Sequence, residues 1–209
     1  MTHNDLTWKF LNEYDVESNT QTKARSLSLE HSLDVISPAV GAQLALVAAA
    51  TNATNIVEIG TGFGLSGLWL LSGAPEATLT SIDSEFEYHE QAREFFTEAG
   101  YPASRVRLIT GKALDVLPRM NENSYDIVLV DGDPAQLPAN VEHALRLVRI
   151  GGTVLVPHAL QAGAVANPSD RSVVVTGFRT VITEASEAEN LVVALSPAGD
   201  GLLQITKIS

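Results

Sequence analysis

The sequence predicts an α/β protein on a doubly wound, mostly parallel sheet, and three observations carry that prediction. A buried-looking run, Ile56–Ile59, leads into Gly60-Thr61-Gly62-Phe63-Gly64 and then into a segment that reads as an amphipathic helix. Glycines at alternate positions let the backbone bend sharply and come close to a ligand, since no Cβ blocks either. A second apolar run, Thr78–Ile82, ends on Asp83. A carboxylate at that strand tip can accept two hydrogen bonds from a ribose diol. Thereafter Val/Ile-rich runs alternate with helical patterns, the signature of βα units. A nucleotide-like cofactor site is the natural expectation.

The elements follow in order. Residues 1–34 are polar, with scattered Leu6, Trp8, Phe10 and Leu11. They are expected to form a helical arm capping a domain that spans 35–209. Trp8, Phe10 and Tyr14 are candidates for a substrate mouth, with core or dimer packing as the alternative. Ser37-Pro38 starts a helix, serine as N-cap and proline at the first helical position, which should end near Ala50. Strands are expected at Ile56–Ile59, Thr78–Ile82, Val106–Ile109, Tyr125–Val130 and Thr153–Val156. They lack strict alternation, as buried strands do when both sheet faces are covered. Leu137, Val141, Ala144, Leu145 and Val148 share one helical face, and Gly151-Gly152 should stop that helix. Val174, Phe178, Val181, Ile182 and Ala185 repeat the spacing, so the β-branched stretch Val173–Ala185 is assigned as helix. Two final strand-like runs, Leu191–Leu195 and Leu202–Ile208, flank the turn signal Asp200-Gly201.

Bulk composition narrows the partners. A chain of 209 residues, 45% hydrophobic and 18% charged, suits one well-buried domain. Its net charge of −12 argues against nucleic acid, which needs concentrated Lys and Arg, and against anionic membranes. The absence of cysteine removes disulfides, thiolate metal sites and thiol nucleophiles. No signal-peptide pattern is visible, and Val40–Ala50 is too short to span a bilayer. A cytoplasmic protein is expected.

Several short motifs recur together: Ser37-Pro38 with Gly41, Glu58-Ile59-Gly60 with Gly64-Leu65-Ser66, Ile82-Asp83, Ala99-Gly100, Gly111-Lys112-Ala113 and Tyr125-Asp126 leading to Asp131. Arg149-Ile150-Gly151-Gly152 and Pro197-Ala198-Gly199-Asp200-Gly201 complete the set. In this order and spacing the chain resembles the S-adenosylmethionine (SAM)-dependent O-methyltransferases related to the catechol and caffeoyl-CoA enzymes, from about Ile36 to Ile205. The resemblance implies a Rossmann-like seven-stranded methyltransferase sheet, finished by a C-terminal antiparallel hairpin and flanked by helices. It implies methyl transfer to a small-molecule hydroxyl, and homodimers. It places Ile36 in the cofactor pocket, Glu58 at the glycine turn or the methionine ammonium, and Gly60, Thr61 and Gly64 in the turn itself. Ser66 is placed on the methionine carboxylate, Asp83 on the ribose, Gly111 and Ala113 against adenine, and Asp131 beside the reaction centre.

The chain departs from that pattern where the metal-dependent relatives hold a divalent cation. Asp131 is retained, but Pro134 stands where a lysine base belongs. Val156-Pro157-His158 replaces an Asp-Asn pair. Proline can neither ligate through its side chain nor accept a proton. Metal dependence is therefore expected to be weakened or absent. His158 becomes the candidate general base, its reference pKa suiting proton removal near neutrality. A mixed site of Asp131, Asp133 and His158, or a purely structural His158, stays open, as does Asp133 as a helix cap. Two alternatives of other classes also stand: a SAM-binding protein without catalysis, and a NAD(P)-dependent oxidoreductase, whose usual fingerprint is however Gly-x-Gly-x-x-Gly.

Overall fold

The structure is a computed structural model and describes residues 3–14 and 16–209, except the side chains at positions 3–5, 8, 11 and 12. Two polar helices, α1 (His3–Tyr14) and α2 (Asn19–Glu30), precede α3 (Pro38–Ala50). A capping box opens α2: Ser18 Oγ accepts from the Gln21 N–H, and Gln21 Oε1 accepts from the Ser18 N–H. Ser37 caps α3 with Pro38 in its first turn. Then come β1 (Asn55–Ile59), α4 (Leu65–Gly73), β2 (Thr78–Asp83), α5 (Phe86–Glu98), β3 (Val106–Thr110) and the short α6 (Ala113–Val116). The chain continues through β4 (Tyr125–Val130), α7 (Leu137–Leu147), β5 (Val148–Pro157), α8 (Val173–Glu187), β6 (Leu191–Ser196) and β7 (Leu202–Lys207).

One seven-stranded sheet runs in the order β3-β2-β1-β4-β5-β7-β6. β1 to β5 pair in parallel, while β7 runs antiparallel to both β5 and β6. Helices cover both faces. One apolar cluster joins α3, α4 and α5 to the sheet; the other joins α7 and α8. On α8 the buried residues are Val175, Phe178, Val181 and Ala185, so helical periodicity prevails over β-branched composition.

Two expectations need correction. α4 is not amphipathic: every residue from Leu65 to Leu71 is buried. It lies between the sheet and α3, and a Cβ at Gly73 would stand 1.9 Å from the Ala45 carbonyl oxygen. Further on, β5 begins at Val148, five residues before the expected Thr153. Val148 is already extended and pairs with Tyr125, so strand pairing, not Gly151-Gly152, ends α7. The glycines instead sit where the β4–β5 register shifts. A Cβ at Gly152 would meet the carbonyl oxygens of Tyr125 and Asp126 at 2.9 and 3.0 Å.

At the opposite edge of the sheet from the strand tips, Asp126 fastens three strands. Its Oδ2 accepts from the Thr54 and Asn55 N–H groups at 2.7 and 2.9 Å, and its Oδ1 from Arg149 Nε at 2.7 Å. Burial alone raises this carboxyl, but those donors outweigh it and hold it below the usual range. Of the N-terminal aromatics, Phe10 and Tyr14 are exposed, and the side chain of Trp8 lies outside the described residues. Among the described residues no helix is long and apolar enough to cross a membrane.

Candidate active site

A cavity of about 510 Å³ opens at the C-terminal ends of β1, β2, β4 and β5. Strand order reverses there, between β1 and β4, the place where open α/β sheets bind ligands. Backbone bonds tie the strand tips together: Gly60 N–H to the Ile82 carbonyl, Asp131 N–H to that of Ile59, and Gly111 N–H to that of Asp83. Gly60 has φ 92°, and a Cβ there would lie 2.1 Å from the Asp131 carbonyl oxygen. Only glycine permits that approach.

Ile36, Gly60, Thr61, Ser66, Asp83, Gly111, Ala113, Asp131 and His158 all line this one cavity. Residues from six separate stretches of chain thus converge. Asp83 braces the turn directly, its Oδ2 accepting from the Gly62 N–H at 2.9 Å and its Oδ1 from the Glu85 N–H at 3.0 Å. Each oxygen retains a lone pair for a ligand.

Glu58 and Gly64 are not among the lining residues. Gly64, φ 86°, makes the turn into α4, and a Cβ there would press on Phe96 and Ala92. Glu58 is fully buried beneath the turn. Ser66 Oγ donates to its Oε1 and Ser81 Oγ to its Oε2, both at 2.5 Å. With Glu58 ionised, the Ser66 proton is thereby committed to Glu58. Burial is the main force pushing the Glu58 carboxyl up to about 7, opposed by the two serines and reinforced by Asp83.

His158 occupies a strained position, φ 56° at the end of β5. The C-terminal turn holds it there. Ala159 and Leu160 donate to the Gly201 and Asp200 carbonyls, and Asp200 carboxylate oxygens accept from the Ala162 N–H at 2.8 Å. Asp200 is therefore a clamp on this loop as well as part of a turn. His158 Nδ1 lies 3.5 Å from Asp34 and Nε2 lies 3.9 Å from Asp131. Nε2 is buried with no hydrogen-bond partner. Asp131 is raised well above the usual carboxylate range by burial, with Glu58 and then Asp34 adding to it. Asp133 caps the turn Pro134–Gln136 before α7, accepting from the Ala135 N–H at 3.0 Å.

The implied metal does not fit these residues. Among the described residues no three His, Cys, Asp or Glu side chains form a metal-binding group, and Pro134 and Pro157 supply none. Two lining residues, Asp34 and Asn140, carry no motif that marks them. A third polar group, His89, is buried with Ala92 and Phe96 on one face of α5, so helical periodicity alone could have found it.

Comparison with known proteins then decides the family. The O-methyltransferase family model matches residues 14–208. The chain belongs to the O-methyltransferase family. A relative from Mycobacterium marinum, provisionally named an O-methyltransferase, is 42% identical over 181 residues, spanning 86% of this chain and 81% of that one. A solved structure from Corynebacterium glutamicum is 32% identical with TM-score 0.90, covering 99% and 98% of the two chains. The O-methyltransferase TomG from Streptomyces achromogenes, involved in tomaymycin synthesis and solved in complex with SAM, is 28% identical with TM-score 0.87 over the full length of both chains.

For this O-methyltransferase the raised Glu58 carboxyl has a thermodynamic consequence. A carboxyl that moves from 4.5 to about 7 on folding makes the folded state the better proton binder. Its stabilising contribution is full below about pH 4.5 and is lost as pH rises through about 7. The loss is on the order of 3 kcal/mol. Glu58→Gln should remove this slope, so denaturant titrations of parent and variant should diverge between those pH values. A parallel pH dependence would show that Glu58 does not titrate there.

Proposed function

We propose that the cavity binds SAM and that the protein methylates a hydroxyl of a small molecule without a resident divalent metal. The observation that carries this is the convergence of the Gly60–Gly62 turn, Asp83 and Gly111–Ala113 on one cavity beside His158. Asp83 would hold the ribose hydroxyls, Gly111 and Ala113 would flank the adenine, and Ile36, Ser66 and Asp131 would surround the methionine part. The Gly60 approach to Asp131 fits a ligand laid against bare backbone. When bound, SAM supplies an electrophilic methyl on a sulfonium whose leaving group is a neutral thioether.

The side chains then have little to do beyond alignment and proton removal. His158 Nε2, which no protein group hydrogen-bonds, would take the hydroxyl proton as the acceptor oxygen bonds to the methyl carbon. In that transfer the carbon–sulfur bond would break with its electron pair kept on sulfur. Asp34 near Nδ1 would steady the resulting imidazolium. Asp131 and the apolar Val130 and Leu137 would border the reacting atoms. The unpartnered Nε2 favours this reading over a structural His158 and over a binder without catalysis.

We also propose a cytoplasmic homodimer, in which residues 1–34 cap the domain. Leu6 and Phe10 on α1 and Leu46 on α3 are exposed, as are Val192 and Leu195 on the edge strand β6, and such an edge is best covered by a partner. Light scattering should give twice the 22.3 kDa chain mass; a monomer at micromolar concentration would remove the dimer.

Calorimetric titration with S-adenosylhomocysteine should give micromolar binding unchanged by Mg²⁺, with no heat from NAD. Asp83→Ala should weaken it by about 1.5–3 kcal/mol, the range for hydrogen bonds to a charged group. Binding of NAD alone would return the oxidoreductase reading. Once an acceptor is found, His158→Ala should lower kcat by roughly 10²–10⁴-fold, the usual scale for acid–base assistance, and abolish the acidic limb of its pH profile. An unchanged rate and profile would end the base assignment.

A further inference from the structure

Beneath the glycine turn lies a hydrogen-bonded chain that reaches from β1 across β2 to α5 and β3. Ser81 Oγ donates to Glu58 Oε2 at 2.5 Å. Thr61 Oγ1 stands 2.6 Å from Ser81 Oγ and 3.1 Å from His89 Nε2. His89 Nδ1 in turn lies 3.1 Å from Thr110 Oγ1. Glu58, Thr61, Ser81 and His89 are all buried, whereas Thr110 ends the chain at the surface.

Proton counting gives the chain a direction. With Glu58 ionised, both of its oxygens only accept. Ser81 spends its one proton on Glu58, so between Ser81 and Thr61 the donor must be Thr61. Thr61 then has no proton left for His89 and must accept from it. That requires His89 to carry its proton on Nε2. Nδ1 is left as an acceptor, and the Thr110 hydroxyl donates to it. Every member is satisfied in this one arrangement, and the opposite tautomer leaves Thr61 and Nε2 facing each other with no proton between them. Burial also lowers the His89 pKa, which keeps the ring neutral as the arrangement needs.

Thr61 is the residue between Gly60 and Gly62, and its neighbour Gly62 is held from the other side by Asp83. We infer that His89, as its Nε2–H tautomer, is a positioning residue that fixes the cofactor turn through Thr61 and orients the proton chain ending on Glu58. The inference rests on the turn being the cofactor site, but the tautomer can be observed without any ligand.

The test uses the full-length protein. Long-range ¹H–¹⁵N spectra of histidine-labelled protein at about pH 8, with His89 assigned by its loss in His89→Gln, should show the Nε2–H tautomer. His89→Phe, which keeps the bulk and loses both nitrogens, should weaken S-adenosylhomocysteine binding by about tenfold. His89→Gln, which keeps a donor and an acceptor, should stay within about threefold of the parent. Should His89→Phe fail to fold, Thr110→Val removes only the terminal, exposed donor, and the His89 Nδ1 resonance should move while the tautomer persists. An Nδ1–H tautomer, equal affinity of the phenylalanine variant, equal weakening by both variants, or an Nδ1 resonance unmoved by Thr110→Val would each overturn the assignment. If the tautomer is as stated and the parent protein binds no S-adenosylhomocysteine, the cofactor reading fails and the chain stands.

Discussion

The ligand-facing edge of this protein depends on one buried carboxylate. Glu58 sits on the interior strand β1 with no exposed surface, a costly place for a charge unless its oxygens are occupied. The two occupants come from different elements, Ser66 in the first turn of α4 and Ser81 in β2. Satisfying Glu58 therefore fixes the spacing of β1, β2 and α4 directly under the glycine turn. The turn inherits that rigidity through Thr61, which bonds to Ser81 from above.

Around this support the division of labour is plain. The β1–β2 side presents backbone and a single strong acceptor, Asp83, which suits holding a polar cofactor in one pose. The β4–β5 side presents Asp131 and His158, which suits chemistry. His158 is kept in a left-handed conformation by a loop whose own donors are taken by the 198–201 turn. The C-terminal strands, far from the glycine turn in sequence, thus aim the proposed base. Methyl transfer asks mainly for alignment, and a site with proline and histidine where the resemblance implies metal ligands is consistent with that demand.

Much of this was legible in the chain itself. Alternating apolar runs, Ser37-Pro38, the glycine turn and Asp83 are local signals, each set by the φ/ψ freedom or hydrogen-bonding capacity of a few neighbours. They set the expectation of the sheet, while the resemblance to the O-methyltransferases supplied most of the nine expected residues that line the cavity. The helix limits were less legible where pairing between strands competes with helix propensity, as at Val148, and the all-round burial of α4 reflects how closely α3 can approach at Gly73.

What only the tertiary structure decided is the linkage between distant residues. No spacing rule joins Asp34 to His158, Asp200 to Ala162, or His89 to Thr61, because each contact depends on loops that meet only after the sheet has closed. The same holds for Glu58: its strand-end position leaves open whether it meets a ligand or organises the glycine turn, and the fold sets it under the turn with both oxygens occupied. Sequence alone determined the fold and the glycine turn because those follow from local backbone preference and periodicity, whereas the cofactor-facing roles came from the resemblance to a family. The protonation states and the aim of the reacting groups follow from burial and long-range partners, and only the folded chain supplies those.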